Sequence, residues 1–127
     1  MDNPSIPEDL RRFVLTSVPS VPFLEALLLM RADPDQAWRR DTLARRLYVR
    51  EKTADDLLAD LCRARIAMPC GADGYRYAPD DAGLRERIDQ LADLYATHLV
   101  EVTHLIHSSL DRKAQQFADA FKWRKDS

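Results

Sequence analysis

Hydrophobic positions along the chain fall into six stretches with different periods. In EDLRRFVLTSV, between Pro7 and Pro19, Leu10, Phe13 and Val14 sit at i, i+3 and i+4, which predicts a short amphipathic helix. VPFLEALLLMRA is apolar nearly all round, with Phe23, Leu24, Leu27, Leu28, Leu29 and Met30, so it predicts a helix at the centre of a core. Ser20 is its expected N-cap, Pro22 suits its first turn, and Pro34 closes it. DPDQAWRR reads as a connector with Trp38 as a core anchor. TLARRLYV follows, with Asp41 as expected N-cap and Leu43, Ala44 and Leu47 as the inner face. After a turn at Tyr48–Val49, REKTADDLLADLCRARI places Ala54, Leu57, Leu58, Leu61 and Cys62 on one face.

The period then changes. IAMPCGADGYRYAP reads as two short strands joined by Gly71-Ala72-Asp73-Gly74, with Tyr75 and Tyr77 alternating. From Asp81 to about Phe121 there is no proline and a single early glycine, Gly83. Leu84, Ile88, Leu91, Tyr95, His98, Val102, Leu105 and Ser109 recur in steps of four and three, a heptad seam. Leu94, Leu99, Ile106 and Leu110 widen the apolar arc towards half the circumference. A continuous helix of ~40 residues would be ~60 Å long, more than one small domain covers. The expectation is that it pairs with a second copy through Leu84, Ile88, Leu91, Tyr95, His98, Val102 and Leu105, or breaks near Ser108-Ser109. The N-terminal helix packs either on such a partner or on its own domain.

Helix, helix, turn, helix and hairpin within about 60 residues is the winged-helix order. DTLARRLYVREKTADDLLADLCRARI resembles the helix-turn-helix of bacterial winged-helix regulators, in which a short "LA..L" helix, a three-residue turn and a recognition helix ending in "L...L" follow one another. GYRYAPD is similar to the close of the wing in that superfamily. The resemblance covers residues 20–79, and the glycine common in the turn is replaced by Tyr48. It implies a mainly α fold: an N-terminal arm over 1–19, a winged helix-turn-helix with a short β-hairpin wing over 20–79, and a long C-terminal dimerisation helix with a basic tail over 80–127.

Charge sharpens the functional expectation. The 127-residue chain has a net charge of −2, unlike the basic balance usual in DNA-binding domains. The balance is uneven: −3 over residues 1–38, +3 over 39–79 and −2 over 80–127. If residues 39–79 meet double-stranded DNA, Arg39, Arg40, Arg45 and Arg46 would neutralise phosphates, while Arg50, Lys52, Thr53 and Arg76 would probe the grooves. Asp55, Asp56 and Asp60 on the same helix oppose phosphates. The alternatives are that the arginines pair with Asp41, Asp55 and Asp60, or that the module is a protein-interaction unit whose acidic helix meets a basic partner. The tail DRKAQQFADAFKWRKDS carries Phe117, Phe121 and Trp123 among basic residues. It reads as a capped, frayed helix end or as a basic-aromatic docking peptide.

Other chemistry is thinly represented. The sequence holds no Gly-rich phosphate loop, nucleophile elbow or HExxH motif, so the chain is not expected to be an enzyme or to need a cofactor. His98, Glu101, His104 and His107 recur at three-residue steps, and Glu101-x-x-His104 has the spacing of carboxylate-bridged metal helices. Those sites need matching motifs on other helices, and no second ExxH exists, so no metal is expected. A pH response of His98 at a dimer interface is a further alternative. Cys62 and Cys70 form no CxxC and are expected to stay reduced. No apolar run approaches the ~20 residues of a membrane span, and MDNPSIPEDLRR does not read as a secretory signal. A bacterial cytoplasmic location away from membranes is the resulting expectation.

Overall fold

The structure is a computed structural model that describes the backbone of residues 6–126 and the side chains of residues 6–120. The described residues form six helices and one hairpin: α1 (Glu8–Ser17), α2 (Val21–Ala32), α3 (Arg40–Leu47), α4 (Glu51–Arg63), β1 (Ala67–Cys70), β2 (Gly74–Tyr77), α5 (Ala82–Thr97) and α6 (Leu99–Asp126). The protein is therefore mainly helical, with a two-stranded antiparallel sheet.

Sequence explains why α2 is central. The Ser20 hydroxyl accepts from the Phe23 N–H at 3.2 Å, capping the helix as its composition predicts. Only Pro22, Glu25 and Ala32 of α2 are exposed, and the helix touches α3, α4 and β2. Its weak amphipathicity follows from having neighbours on several sides. In α4, by contrast, Ala54, Leu57, Leu58 and Leu61 are buried, while Glu51, Lys52, Asp55, Asp56 and Ala59 face outward.

Two helix ends use left-handed residues that are not glycine. Tyr48, a residue 95% exposed, follows α3 at φ 59° and ψ 44°. Arg65 follows α4 at φ 65°. There the Ile66 N–H reaches Leu61 O and the Arg65 N–H reaches Cys62 O, both at 3.0 Å, a Schellman closure. Gly71, at φ 73°, opens the hairpin turn.

The hairpin pairs Ala67 with Tyr77 and Cys70 with Gly74. Tyr75 has both backbone groups on Trp38: Trp38 N–H to Tyr75 O at 2.7 Å and Tyr75 N–H to Trp38 O at 2.8 Å. Trp38 thus extends the sheet by one residue on the β2 side, a role the connector's composition did not announce. Pro69 lies opposite Tyr75 on the free edge, where an absent N–H costs no ladder bond.

Three expectations are corrected. Asp41 is not the N-cap of α3; the cap is Arg39, and Thr42 Oγ1 accepts from the Arg39 N–H at 3.0 Å. Asp41 sits in the first turn, where its carboxylate accepts from the Thr42 N–H and favours the positive helix end. The C-terminal region is not one continuous helix, and it does not break near Ser108-Ser109. It breaks at His98, at φ −128° and ψ 47°, with the Thr97 hydroxyl 2.7 Å from His98 Nδ1. The break lets α5 and α6 pack on each other and on α1, which buries the apolar stripe inside the chain. His98, expected within the seam of a continuous helix, is the half-buried residue of that bend. The N-terminal helix packs on its own chain.

No single described helix is long and apolar enough to cross a membrane. One hydrophobic cluster runs from Leu10 in α1 to Ile106 in α6, so the arm, the central module and the C-terminal pair share a core.

Backbone strain yields a paired prediction. An added Cβ at Gly74 would lie 2.7 Å from Cys70 O and 3.1 Å from Ala37 Cβ. Gly74→Ala is expected to destabilise by about 1–3 kcal/mol in urea unfolding. Tyr48→Gly is expected to be neutral or to stabilise by up to about 1 kcal/mol, and Tyr48→Val to destabilise by about 1 kcal/mol, because β-branching is poorly tolerated at positive φ.

Candidate nucleic-acid interface

The exposed faces of α3, the N-terminal half of α4 and the hairpin carry the cations singled out by sequence. Arg39 and Arg40 cap and open α3, Arg45 and Arg46 lie in its last turn, Arg50 precedes α4, Lys52 lies in its first turn, and Arg76 is on β2. All seven are exposed, whereas Thr53 is half-buried.

Several of these cations meet carboxylates of their own surface. Arg39 and Arg45 approach Asp41 at 3.7 and 3.8 Å. Arg40 lies between Glu51 at 3.6 Å and Asp55 at 3.9 Å, and Lys52 reaches Asp56 at 3.5 Å. Asp60 pairs with Arg63 rather than with a cation of this face. The sequence alternative of self-pairing at Asp41 and Asp55 is therefore realised, and at Asp60 it is realised through a different arginine.

Arg46, Arg50 and Arg76 have no carboxylate partner among the described residues. The Arg46 guanidinium lies 5.6 Å from the Trp38 ring centroid, a cation–π placement. Arg76 approaches the sulfur of Met68 across the outward face of the hairpin. Arg50 stands at the N-terminus of α4 and makes no side-chain cap. One cation without a carboxylate partner thus stands on α3, one immediately before α4 and one on the hairpin.

Between these elements is a groove of about 500 Å³ lined by Arg39, Arg40, Asp41, Glu51, Asp55 and Asp73, together with Ala72 and Tyr75. Four carboxylates face two guanidinium groups in it, so its walls are acidic even though the surrounding segment is basic. Sequence reasoning missed the groove, because Asp73 enters it from a turn distant in sequence.

The seam residues have a different fate. Ile88, Leu91, Val102 and Leu105 are buried within the single chain, while Leu84, Tyr95 and His98 are half-buried. Neighbouring Leu99 and Val100 remain 53% and 66% exposed. Glu101, His104 and His107 point to solvent, and among the described residues no three His, Cys, Asp or Glu side chains gather as metal ligands. Both cysteines are free and half-buried, and burial pushes the Cys62 thiol above its usual range, disfavouring thiolate. Phe117 is exposed on α6. The side chains of Phe121, Lys122, Trp123, Arg124 and Lys125, assigned to a docking tail, lie outside the described residues.

The chain matches no protein-family model, no curated protein and no solved structure.

Tyr77, the last residue of β2, is buried in the core. Its hydroxyl is buried without a hydrogen-bond partner in the protein, and Arg85 lies 5.8 Å from the ring centroid. Desolvation raises its pKa above the usual tyrosine range. Asp89 adds to the rise, and Arg85 and Arg31 oppose it. A raised folded-state pKa means that the native state holds this proton after the unfolded chain has lost it. Stability from this group is therefore complete below pH ~10 and falls as pH climbs through the folded value. Tyr77→Phe is expected to be neutral or stabilising by about 1 kcal/mol at pH 7, since it removes an orphaned hydroxyl. Its advantage should widen between pH 9 and 11 in parallel urea titrations of both proteins. An advantage that shrinks with pH would refute this account.

Proposed function

We propose that the protein is a dimeric winged-helix regulator of bacterial transcription that binds double-stranded DNA and needs no cofactor. The observation carrying this reading is the distribution of unpaired cations: Arg46, Arg50 and Arg76 stand on the three elements that such a module brings to a duplex. In this reading α4 enters the major groove and the hairpin lies along the neighbouring backbone. Arg50 and Lys52 meet base edges or phosphates, Arg76 acts from the hairpin, and Arg39, Arg40, Arg45 and Arg46 hold phosphates. Thr53, half-buried, contributes through its accessible edge.

The acidic groove favours a second reading, an interaction module that takes a basic peptide. Asp41, Glu51, Asp55 and Asp73 would then receive its cations.

A salt series separates the two. Fluorescence anisotropy with a random-sequence duplex is expected to show binding that weakens linearly in log–log form with salt. The Arg46→Ala, Arg50→Ala, Arg76→Ala triple variant should flatten that slope by about 3. Glu51→Gln with Asp55→Asn should tighten binding by removing repulsion. An unretained duplex at the lowest salt, with saturable binding of an arginine-rich peptide, would favour the second reading.

The dimer in this proposal is supported by Leu99 and Val100, the apolar pair left exposed at the start of α6. Light scattering is expected to give twice the 14.6 kDa chain mass. Leu99→Asp with Val100→Asp should return the monomer with unchanged helicity. A wild-type monomer at every concentration would remove the dimer from the proposal.

A further inference from the structure

A second concavity lies at the other end of α4. It is a cleft of about 410 Å³ where four helices converge: the end of α1, the end of α4, the start of α5 and the middle of α6. Its origin is local. Pro19 follows the end of α1, the left-handed Arg65 ends α4, and α5 starts only at Ala82, so three elements stop or start around a space that no side chain fills. Val18, Phe23 and Ile66 are buried beneath it, whereas Phe13, Leu15 and Leu84 leave apolar surface half-exposed along it.

The cleft has a charged rim. Arg63 is tied to Asp60 on its own helix, a pair that cancels. Lys113 of α6 has no acidic partner among the described residues, and it gives the rim a net positive charge of one. The Ser17 hydroxyl is close by and can rotate to donate, whereas the Thr16 hydroxyl donates to Arg12 O at 2.9 Å within its own helix. An apolar body with one negative end matches this arrangement. A cationic or strongly polar ligand would meet Lys113 unfavourably and leave the apolar walls wet.

We infer that the cleft between α1, α4, α5 and α6 is a binding site for a small amphipathic monocarboxylate, whose apolar chain lies against Phe13, Ile66 and Leu84 and whose carboxylate pairs with Lys113. The site does not depend on what the opposite end of α4 contacts, so it stands or falls separately from DNA binding.

The test uses the full chain and sodium octanoate as the probe, with octan-1-ol as its uncharged counterpart, followed by backbone amide NMR. Octanoate is expected to shift the amides of residues 13–18, 63–66 and 83–84 saturably, and octanol to bind at least tenfold more weakly. Lys113→Glu, an exposed position that leaves the core intact, should weaken octanoate at least tenfold and leave octanol unchanged, while Lys113→Arg should retain octanoate binding. The inference is overturned if those amides do not move, if octanol binds as tightly as octanoate, or if Lys113→Glu has no effect on octanoate. It is also overturned if the same amides shift with protein concentration alone, because a second copy would then fill the cleft.

Discussion

The pair of backbone hydrogen bonds between Trp38 and Tyr75 is the constraint on which the candidate interface depends. An isolated two-stranded hairpin is marginal in water. Here β2 is held on one side by β1 and on the other by a single residue of the connector between α2 and α3. Position 74 disfavours any side chain chiefly because an added Cβ would lie 2.7 Å from Cys70 O within the hairpin, with Ala37 Cβ of the connector adding a tight contact at 3.1 Å. The Trp38–Tyr75 contact also fixes the Trp38 ring, 1% exposed, beneath Arg46. The buried indole N–H finds no partner in the protein, a cost set against the large apolar area that the ring removes from water. Hairpin, connector and α3 are therefore one mechanical unit, and the cations of α3 and β2 hold their spacing because of it.

Electrostatics on that unit has to be weighed by magnitude. Pairs such as Arg40 with Glu51 and Arg39 with Asp41 are exposed and lie at 3.6 and 3.7 Å. Pairs of this kind contribute about 0–1 kcal/mol each and are screened by salt. They do not lock the arginines, which can exchange a carboxylate for a phosphate at little cost. The carboxylates themselves remain, and Asp55 and Asp56 would repel a phosphate row from the same helix that presents Arg50. Under the proposed DNA reading, this arrangement and a net charge of −2 imply binding that is salt-dependent and limited in nonspecific strength.

Much of this architecture was legible from periodicity. The Ser20 cap, the buried faces of α2 and α4, and the hairpin after Ile66 all follow from local rules, because each element carries its own pattern and punctuation. The failures share a cause. A heptad stripe is the same whether it is buried by a second chain or by the chain itself, and Thr97-His98 bends the helix without the proline or glycine that normally marks a bend. Trp38 looked like an anchor but not like a strand, since one bridging residue has no period. The acidic groove and the cleft are formed by residues from segments far apart in sequence, and no window along the chain contains either one.

The bend at His98 also changes what α1 does. A continuous helix would have left α1 as an optional arm. With the bend, α1 packs on both α5 and α6, and Leu10, Val14 and Val18 enter the same cluster as Ile88, Leu91 and Val102. The first helix thereby holds the last two together. Helix α4 runs from the acidic groove at its N-terminal end to the cleft at Arg63, a span of roughly 20 Å for 13 residues. Ala54, Leu57, Leu58 and Leu61 anchor it along that length. Both concavities are therefore framed by one helix whose inner face is fixed in the core, and their separation is set by its length.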